Sequence, residues 1–293
     1  MRRRAHGNRA SRRAERAARP ESWRRATARF CTSGFRTVGF RAAALLLVMT
    51  AALYWGAVPV AAQEIDAADM LEEAESRIYP DSFFMRSEIS TNRPDRRNTT
   101  LVLESYFKDE VGTFMEILEP ARSRGTRFLR KGDSLWMYNP KSRSRRAIRL
   151  SPRESFQGTV FSNNDVGDPD YTDDYDVRYG DSEAIEHPQL GTVDCYVIDG
   201  DASAPTSPYG RIKMWVRKDD LMPVQMEYYA KSGLLFKRMT LLDIGELAGR
   251  QRPQRMRMES LEQEDAFSSV TIEAMEIRND LSDRMFSQAS LTR

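Results

Sequence analysis

Cysteine is nearly absent: Cys31 and Cys195 are the only two in 293 residues. Cys31 precedes the one long apolar run, so it is not an acylation site at a mature N-terminus, and Cys195 is left alone downstream. That excludes an intrachain disulfide and a thiolate metal site in the mature part. Histidine is as scarce. His187 is the single histidine after the leader, set before Pro188 in a loop-like EHPQLG, and no GxSxG element accompanies it. A Ser-His-acid or Cys-His centre has little to stand on. The acidic group Asp165, Asp168, Asp170, Asp173, Asp174 and Asp176 lacks the glycine and terminal glutamate of an EF-hand register, and reads as a solvated loop. No βαβ repeat occurs, which excludes a doubly wound parallel sheet. No cofactor, no metal and no enzymatic activity are expected.

What is present begins with a leader. Residues 1–41 hold thirteen arginines against Glu15 and Glu21, and Ala42–Ala62 is an apolar run. Val60 and Ala62 occupy the −3 and −1 positions of a small-residue cleavage site, which would make Gln63 the mature N-terminus. A positive n-region, an apolar h-region and a small-residue exit form a secretory signal. The run is also long enough to span a bilayer, so an uncleaved inner-membrane anchor is the alternative. Either way residues 1–62 are a presequence and 63–293 one exported, periplasmic domain. Cleavage leaves 32 Lys and Arg against 41 Asp and Glu, a net charge of −9 where the whole chain has +2. A general nucleic-acid binder is not expected from that balance.

The first mature element is an amphipathic helix. Ala67, Leu71, Ala74 and Ile78 recur at spacings of four and three, and Pro80 follows the stop. About a dozen strands come next, including FFMRSEI, TTLVLESYF, GTFMEILEP, TRFLR, SLWMY, RRAIRL, DVRYGDSEAI and VDCYVID. Lys131-Gly132-Asp133, Asn139-Pro140, Lys218–Asp220 and Lys231-Ser232-Gly233 supply turns. Period-2 alternation is clearest later. Ile212, Met214 and Val216 oppose Arg211, Lys213 and Arg217; Val224 and Met226 oppose Gln225 and Glu227; Met256 and Met258 oppose Arg255, Arg257 and Glu259. This is an antiparallel meander with one wet face. Residues 151–176 read as a loop with a helical turn or two crossing one end of the sheet, and Asp280 or Ser282 could cap a short C-terminal helix.

An apolar sheet face must be covered by a second sheet, by closure into a barrel, or by helices over a curved sheet. One good helix is thin cover for so many strands, which suggests a cavity. Its expected lining is Leu71, Leu101, Leu103, Met115, Ile117, Trp136, Ile212, Met214, Val216, Val224, Met226, Met256 and Met258. Both the Leu135–Met137 and the Trp136–Tyr138 faces of the SLWMY strand are apolar, so the pattern does not choose between them. Twelve methionines follow the leader, and methionine suits surfaces that adapt to varied apolar partners.

The blocks GTRFLRKGDSLWMYNPKSRSRRAIRLSPRESFQGTVFSNNDV and RIKMWVRKDDLMPVQMEYYAKSGLLFKRMTLLDI resemble the outer-membrane lipoprotein-sorting family, the LolA-like proteins, from about Met70 to the end. The resemblance implies a mainly β (α+β) fold: a strongly curved antiparallel sheet, or half-open β-barrel, with helices covering its concave face. It implies a periplasmic carrier of the acyl chains of a lipid or lipoprotein, moving them towards the outer membrane, with an inner-membrane transporter, an outer-membrane acceptor and a monomeric state. A non-enzymatic sensor or adaptor of a membrane transporter on the same fold is the alternative. The basic hairpin with Arg143, Arg145 and Arg146 would contact head groups or an acidic partner.

The leader reading has a direct check. Intact-mass analysis of the protein recovered from the periplasm of a bacterial host should show a chain starting at Gln63; the uncut 33.7 kDa chain in the inner-membrane fraction would establish the anchor instead.

Overall fold

A computed structural model describes residues 66–132, 134–166, 171–203 and 207–293, with the Asp173 side chain left out. The expected presequence and cleavage site, Asp133, Asp168 and Asp170 lie outside them. Residues from Ile65 to Arg293 belong to one compact unit.

Fourteen strands form a single antiparallel sheet. They are β1 (Ser82–Asn92), β2 (Thr99–Lys108), β3 (Gly112–Glu119), β4 (Arg127–Lys131), β5 (Ser134–Tyr138), β6 (Ile148–Leu150), β7 (Tyr175–Tyr179), β8 (Glu183–His187), β9 (Gly191–Ala202), β10 (Arg211–Arg217), β11 (Pro223–Tyr229), β12 (Leu235–Leu247), β13 (Arg250–Ser260) and β14 (Phe267–Ile277). The spatial order is β6-β5-β4-β3-β2-β1-β14-β13-β12-β11-β10-β9-β7, with β8 beside β7 on the edge of β9. Two meanders are thus joined where β1 pairs with β14, Ile89 opposite Val270. The outer strands β6 and β7 do not pair, so the sheet is unclosed. The DVRYGDSEAI stretch gives two strands rather than one, because both halves pair with the long β9.

Helix α1 (Ala67–Ile78) starts where the Asp66 carboxylate accepts from the Ala68 amide at 2.8 Å and ends as Tyr79 turns extended ahead of Pro80. It buries Ala67, Met70, Leu71, Ala74 and Ile78, and lies against β7, β11 and β13. One contiguous apolar cluster takes residues from β1 to β5 and from β7, β9 to β14, together with α1, the 156–166 segment and Tyr171. A helix 12 residues long reaching such separated strands requires a curved sheet, and the main core is its concave side.

The convex side is not simply wet, as the alternation had suggested. Leu129, Tyr138, Trp136, Phe114 and Tyr106 form a patch sealed by Leu281, Phe286 and Leu291 of the C-terminal segment. Ser282, not Asp280, caps its turn at Asp283–Phe286, while Asp280 is held by Arg278 at 2.8 Å. A helical turn, α3 (Gln288–Leu291), follows; a shorter one, α2 (Tyr171–Asp174), precedes β7. A second convex patch gathers Cys195, Val197, Trp215 and Val224, flanked by Ile185 and Val193. Cys195 is fully buried there, and burial pushes its thiol up to about 11, which leaves it an inert packing residue.

The C-terminal plug yields a measurement. Phe286 is among the largest fully buried side chains, so Phe286→Ala should cost about 3–5 kcal/mol in urea unfolding. A loss below about 1 kcal/mol would mean that the segment does not seal the convex face.

Candidate functional site

The concave face is a strip of inward side chains from consecutive strands. Leu101, Leu103, Met115, Ile117, Ile212, Met214, Val216, Met226, Met256 and Met258 all belong to it, with Leu71 facing them from α1. Two of the expected lining residues do not. Trp136 belongs to the convex patch under the C-terminal segment, and Leu135 and Met137 point inward in its place. Val224 belongs to the other convex patch: the β10–β11 register slips between Trp215 and Val216, and that bulge turns Val224 to the opposite face from Met226. Eight of the buried residues in the main cluster are methionines.

The strip is covered rather than open. Leu71 and the ten strand residues that face it are each no more than 5% exposed, because α1, the segment 151–166 and Tyr171 fill the concavity with Met70, Leu71, Ile78, Phe156, Val160, Phe161 and Tyr171. This cover is tied to the sheet largely through side chains. Ser268 Oγ accepts from the Val160 amide at 2.9 Å and is itself bonded to Thr91 Oγ1 at 2.8 Å. Arg93 donates to the Thr159 carbonyl at 3.0 Å, and Arg130 donates to the Asn164 carbonyl at 3.0 Å and to its side-chain oxygen at 3.3 Å.

The densest of these ties is a buried polar network. Asp165 accepts from the Tyr209 hydroxyl at 2.6 Å and from the Ser162 amide at 2.7 Å. Lys237 Nζ of β12 lies 3.5 Å from the same carboxylate and 3.4 Å from the Tyr209 hydroxyl; the Asp165 and Lys237 side chains are 4% and 13% exposed. Tyr209 also meets Ser162 Oγ at 3.1 Å and stacks obliquely on Tyr228, whose hydroxyl is 3.0 Å from that of Tyr171. Burial first, and then the Asp165 charge, hold the Tyr209 and Tyr228 hydroxyls well above their usual range; burial and then Tyr228 do so for Tyr171. All three therefore serve as neutral hydroxyls around the Asp165–Lys237 ion pair.

Arg252, 2% exposed, closes the other end. Its guanidinium donates to the Ser76 and Arg77 carbonyls at 3.0 and 3.1 Å, a cation set at the C-terminus of α1. Burial, then Arg250 and Arg77, press its pKa down, and it remains a cation. The amide of Tyr171 adds a 3.3 Å bond to Glu75, which fastens the two parts of the cover to each other.

Lys237 and Tyr228 were absent from the expected site, although the pattern carried them. Lys237 continues the inward register of Met239 and Leu241, and Tyr228 that of Met226. A charged or hydroxylated residue at an inward position is the signal. Nothing in a single sequence pairs Lys237 with Asp165 across the chain.

The remaining candidates fall elsewhere. His187 is buried, not a surface loop residue. Its Nε2 is 2.9 Å from the Leu241 carbonyl, and its Nδ1 accepts from the Gln189 and Leu190 amides at 3.3 Å. Both ring nitrogens are thus committed to backbone, which leaves neither for a nucleophile. Among the described residues no group of three or more His, Cys, Asp or Glu side chains could hold a metal. Arg143, Arg145 and Arg146 stand exposed in the β5–β6 loop. No helix among the described residues is long and apolar enough to cross a membrane.

Comparison with known proteins agrees with this architecture. A family model described as "Uncharacterized protein" matches residues 109–293. No curated protein matches the chain in sequence. Among solved structures, a LolA superfamily protein from Nitrosomonas europaea is 28% identical with a TM-score of 0.69, over 78% of this chain and 100% of its own. A domain described as an outer membrane lipoprotein-sorting protein from Vibrio parahaemolyticus is 18% identical with a TM-score of 0.66, over 77% of this chain and 98% of its own. A DUF1329 family protein from Desulfovibrio piger is 22% identical with a TM-score of 0.65, over 77% and 97%. The last two carry the fold alone. An unclosed antiparallel sheet whose concave face is covered by a helix and a loop, together with the likeness to the Nitrosomonas europaea protein, makes this chain LolA-like.

Proposed function

We propose that this protein is a periplasmic carrier that takes the acyl chains of a lipid or lipoprotein onto its concave face and moves them towards the outer membrane. Its domain spans residues 63–293, freed of the presequence, and acts as a monomer between an inner-membrane transporter and an outer-membrane acceptor. The observation that carries the reading is the methionine-rich concave strip under a cover held by side chains rather than by a backbone ladder.

An exchange of covers makes the energetics workable. Six apolar side chains of the cover (Met70, Leu71, Ile78, Phe156, Val160 and Phe161) lie on the strip. At about 1.5–3 kcal/mol each they contribute roughly 9–18 kcal/mol of burial. A guest chain of about fourteen carbons, at about 0.8 kcal/mol per methylene, replaces roughly 11 kcal/mol of it. The two covers are close enough in free energy for loading and release without a chemical step. Methionine side chains can repack around a guest of another shape at small cost. The lining that takes part is Leu71, Leu101, Leu103, Met115, Ile117, Ile212, Met214, Val216, Met226, Met256 and Met258.

The closeness of the cover also favours a second reading, a sensor or adaptor that binds an exported domain of a membrane protein and never loads lipid. Met214 sits in the middle of the strip at 1% exposure. Met214→Trp should abolish acyl binding on the carrier reading, at a stability cost of about 1–3 kcal/mol. A partner complex that survives this substitution unchanged, in a protein that never takes up lipid, would establish the adaptor.

Two further measurements test the carrier. Mass spectrometry of organic extracts of the purified periplasmic protein should show co-purified lipid, and a fluorescent fatty acid should bind it saturably. Protein that is lipid-free and takes up no probe would refute the reading. Asp165→Asn removes the partner of Lys237 and loosens the cover. Amide hydrogen exchange over residues 156–166 should quicken by about tenfold or more while β10–β12 stay protected, and probe uptake should quicken with it.

A further inference from the structure

We propose that the loops at the β6 edge form a docking surface for a bilayer rich in anionic phospholipid, which brings the rim of the concave face against the membrane. Charge segregation is the first support. Residues 120–149 contain ten Lys and Arg and one acidic residue, Asp133. The rest of the 63–293 chain has 22 basic and 40 acidic residues, so a segment of charge +9 is set into a remainder of −18. A molecule so polarised turns its positive end to a negative surface from a distance.

The fold concentrates that charge. The β3–β4 loop and the β5–β6 loop leave the same end of the sheet and touch: Lys141 Nζ donates to the Ala121 carbonyl, and a Cβ on Gly125 would meet Pro140 Cγ at 3.3 Å. Arg122, Lys141, Arg143, Arg145, Arg146 and Arg149 are all exposed there, and none has a carboxylate within ion-pair distance among the described residues. Elsewhere the sheet pairs its charges routinely, as Arg127 with Glu116 and Arg86 with Glu273. Cations left without carboxylate partners and spread over two loops suit a field of phosphates better than one peptide carboxylate.

An apolar contact sits beside them. Ile148 of β6 is 49% exposed and is the cross-strand partner of Met137, as Leu150 is of Leu135. It therefore stands on the concave side at the free edge, where the sheet does not close. Leu150 and Met137 pack on the main cluster, and the chain passes from β6 directly into the covering segment with Phe156, Val160 and Phe161. A membrane docked on the arginines thus faces the rim and the root of the cover. The proposal rests on the carrier reading for its purpose, while the charge pattern stands without it.

Flotation with vesicles tests it, using the chain that begins at Gln63, since the whole sheet and core lie within it. Vesicles of phosphatidylcholine with phosphatidylglycerol should bind the protein, neutral phosphatidylcholine vesicles should not, and half-molar salt should release it. The triple variant Arg143→Gln/Arg145→Gln/Arg146→Gln should lose about a hundredfold in affinity for the anionic vesicles. These side chains are exposed, so its thermal unfolding should match that of the parent. Fatty-acid probe uptake should also be retained, which separates docking from loading. Binding that ignores vesicle charge, absence of binding, or a triple variant that binds anionic vesicles as the parent does would overturn the proposal. In that event the arginines are left to an acidic protein partner.

Discussion

The structure depends on one constraint: an antiparallel sheet with an apolar face cannot leave that face to water. Here the concave face presents side chains from most of the fourteen strands, and the chain supplies one three-turn helix and one irregular segment to cover it. Everything distinctive about the molecule follows from that shortage. The sheet must curve for so small a cover to reach so many strands. The irregular segment must be tethered at points by Arg93, Arg130, Ser268 and Lys237, because it has no ladder of its own to join. The α1 helix, too short to hold itself in water, is held by its apolar stripe and by Arg252 at its end.

That division of labour was partly legible in the sequence. Strand positions, the α1 stripe and the inward sets of β10 and β13 follow from period 2 and period 3.6, which are local properties. The errors come from places where a local pattern meets a non-local event. Val224 reads as inward by parity with Met226, but a bulge against β10 reverses it. Trp136 and Leu135 are equally apolar, and only the C-terminal segment, about 150 residues further along, decides that Trp136 faces out. The DVRYGDSEAI stretch reads as one strand until the long β9 provides partners for both halves. The buried Asp165–Lys237 tie was the least legible element. Asp165 was read with its acidic neighbours as solvated, since proximity in sequence groups it with Asp174 and Asp176, whereas the fold groups it with Tyr209 and Lys237.

The two faces are covered by different chemistry. On the convex side Leu281, Phe286 and Leu291 fill a patch with apolar contacts, and the polar bonds nearby, such as Lys108 to Asp283, lie at the surface. Lys108 and Arg127 also donate to the Leu281 and Leu291 carbonyls, at 3.0 and 3.3 Å, from partly exposed positions where water can compete, so the plug is held mainly by packing. On the concave side, charged and hydroxyl groups are buried within the seam itself, where water is excluded as long as the cover is shut.

This difference bears on which cover can act as a switch. Packing loosens by degrees as side chains separate. A buried ion pair with its hydroxyl partners does not: while closed it is strong because the surroundings are poorly polarisable, and once one member leaves, the other is stranded unless water or another anion reaches it. The seam therefore has two acceptable arrangements, fully tied or fully hydrated, and few between them. On the carrier reading proposed above, a guest that wedges into the strip would break the Asp165 tie as a whole, and an emptied strip would re-form it. For a carrier this makes loading close to all-or-none, and it places the decision at Asp165, Tyr209 and Lys237 instead of spreading it along the apolar strip.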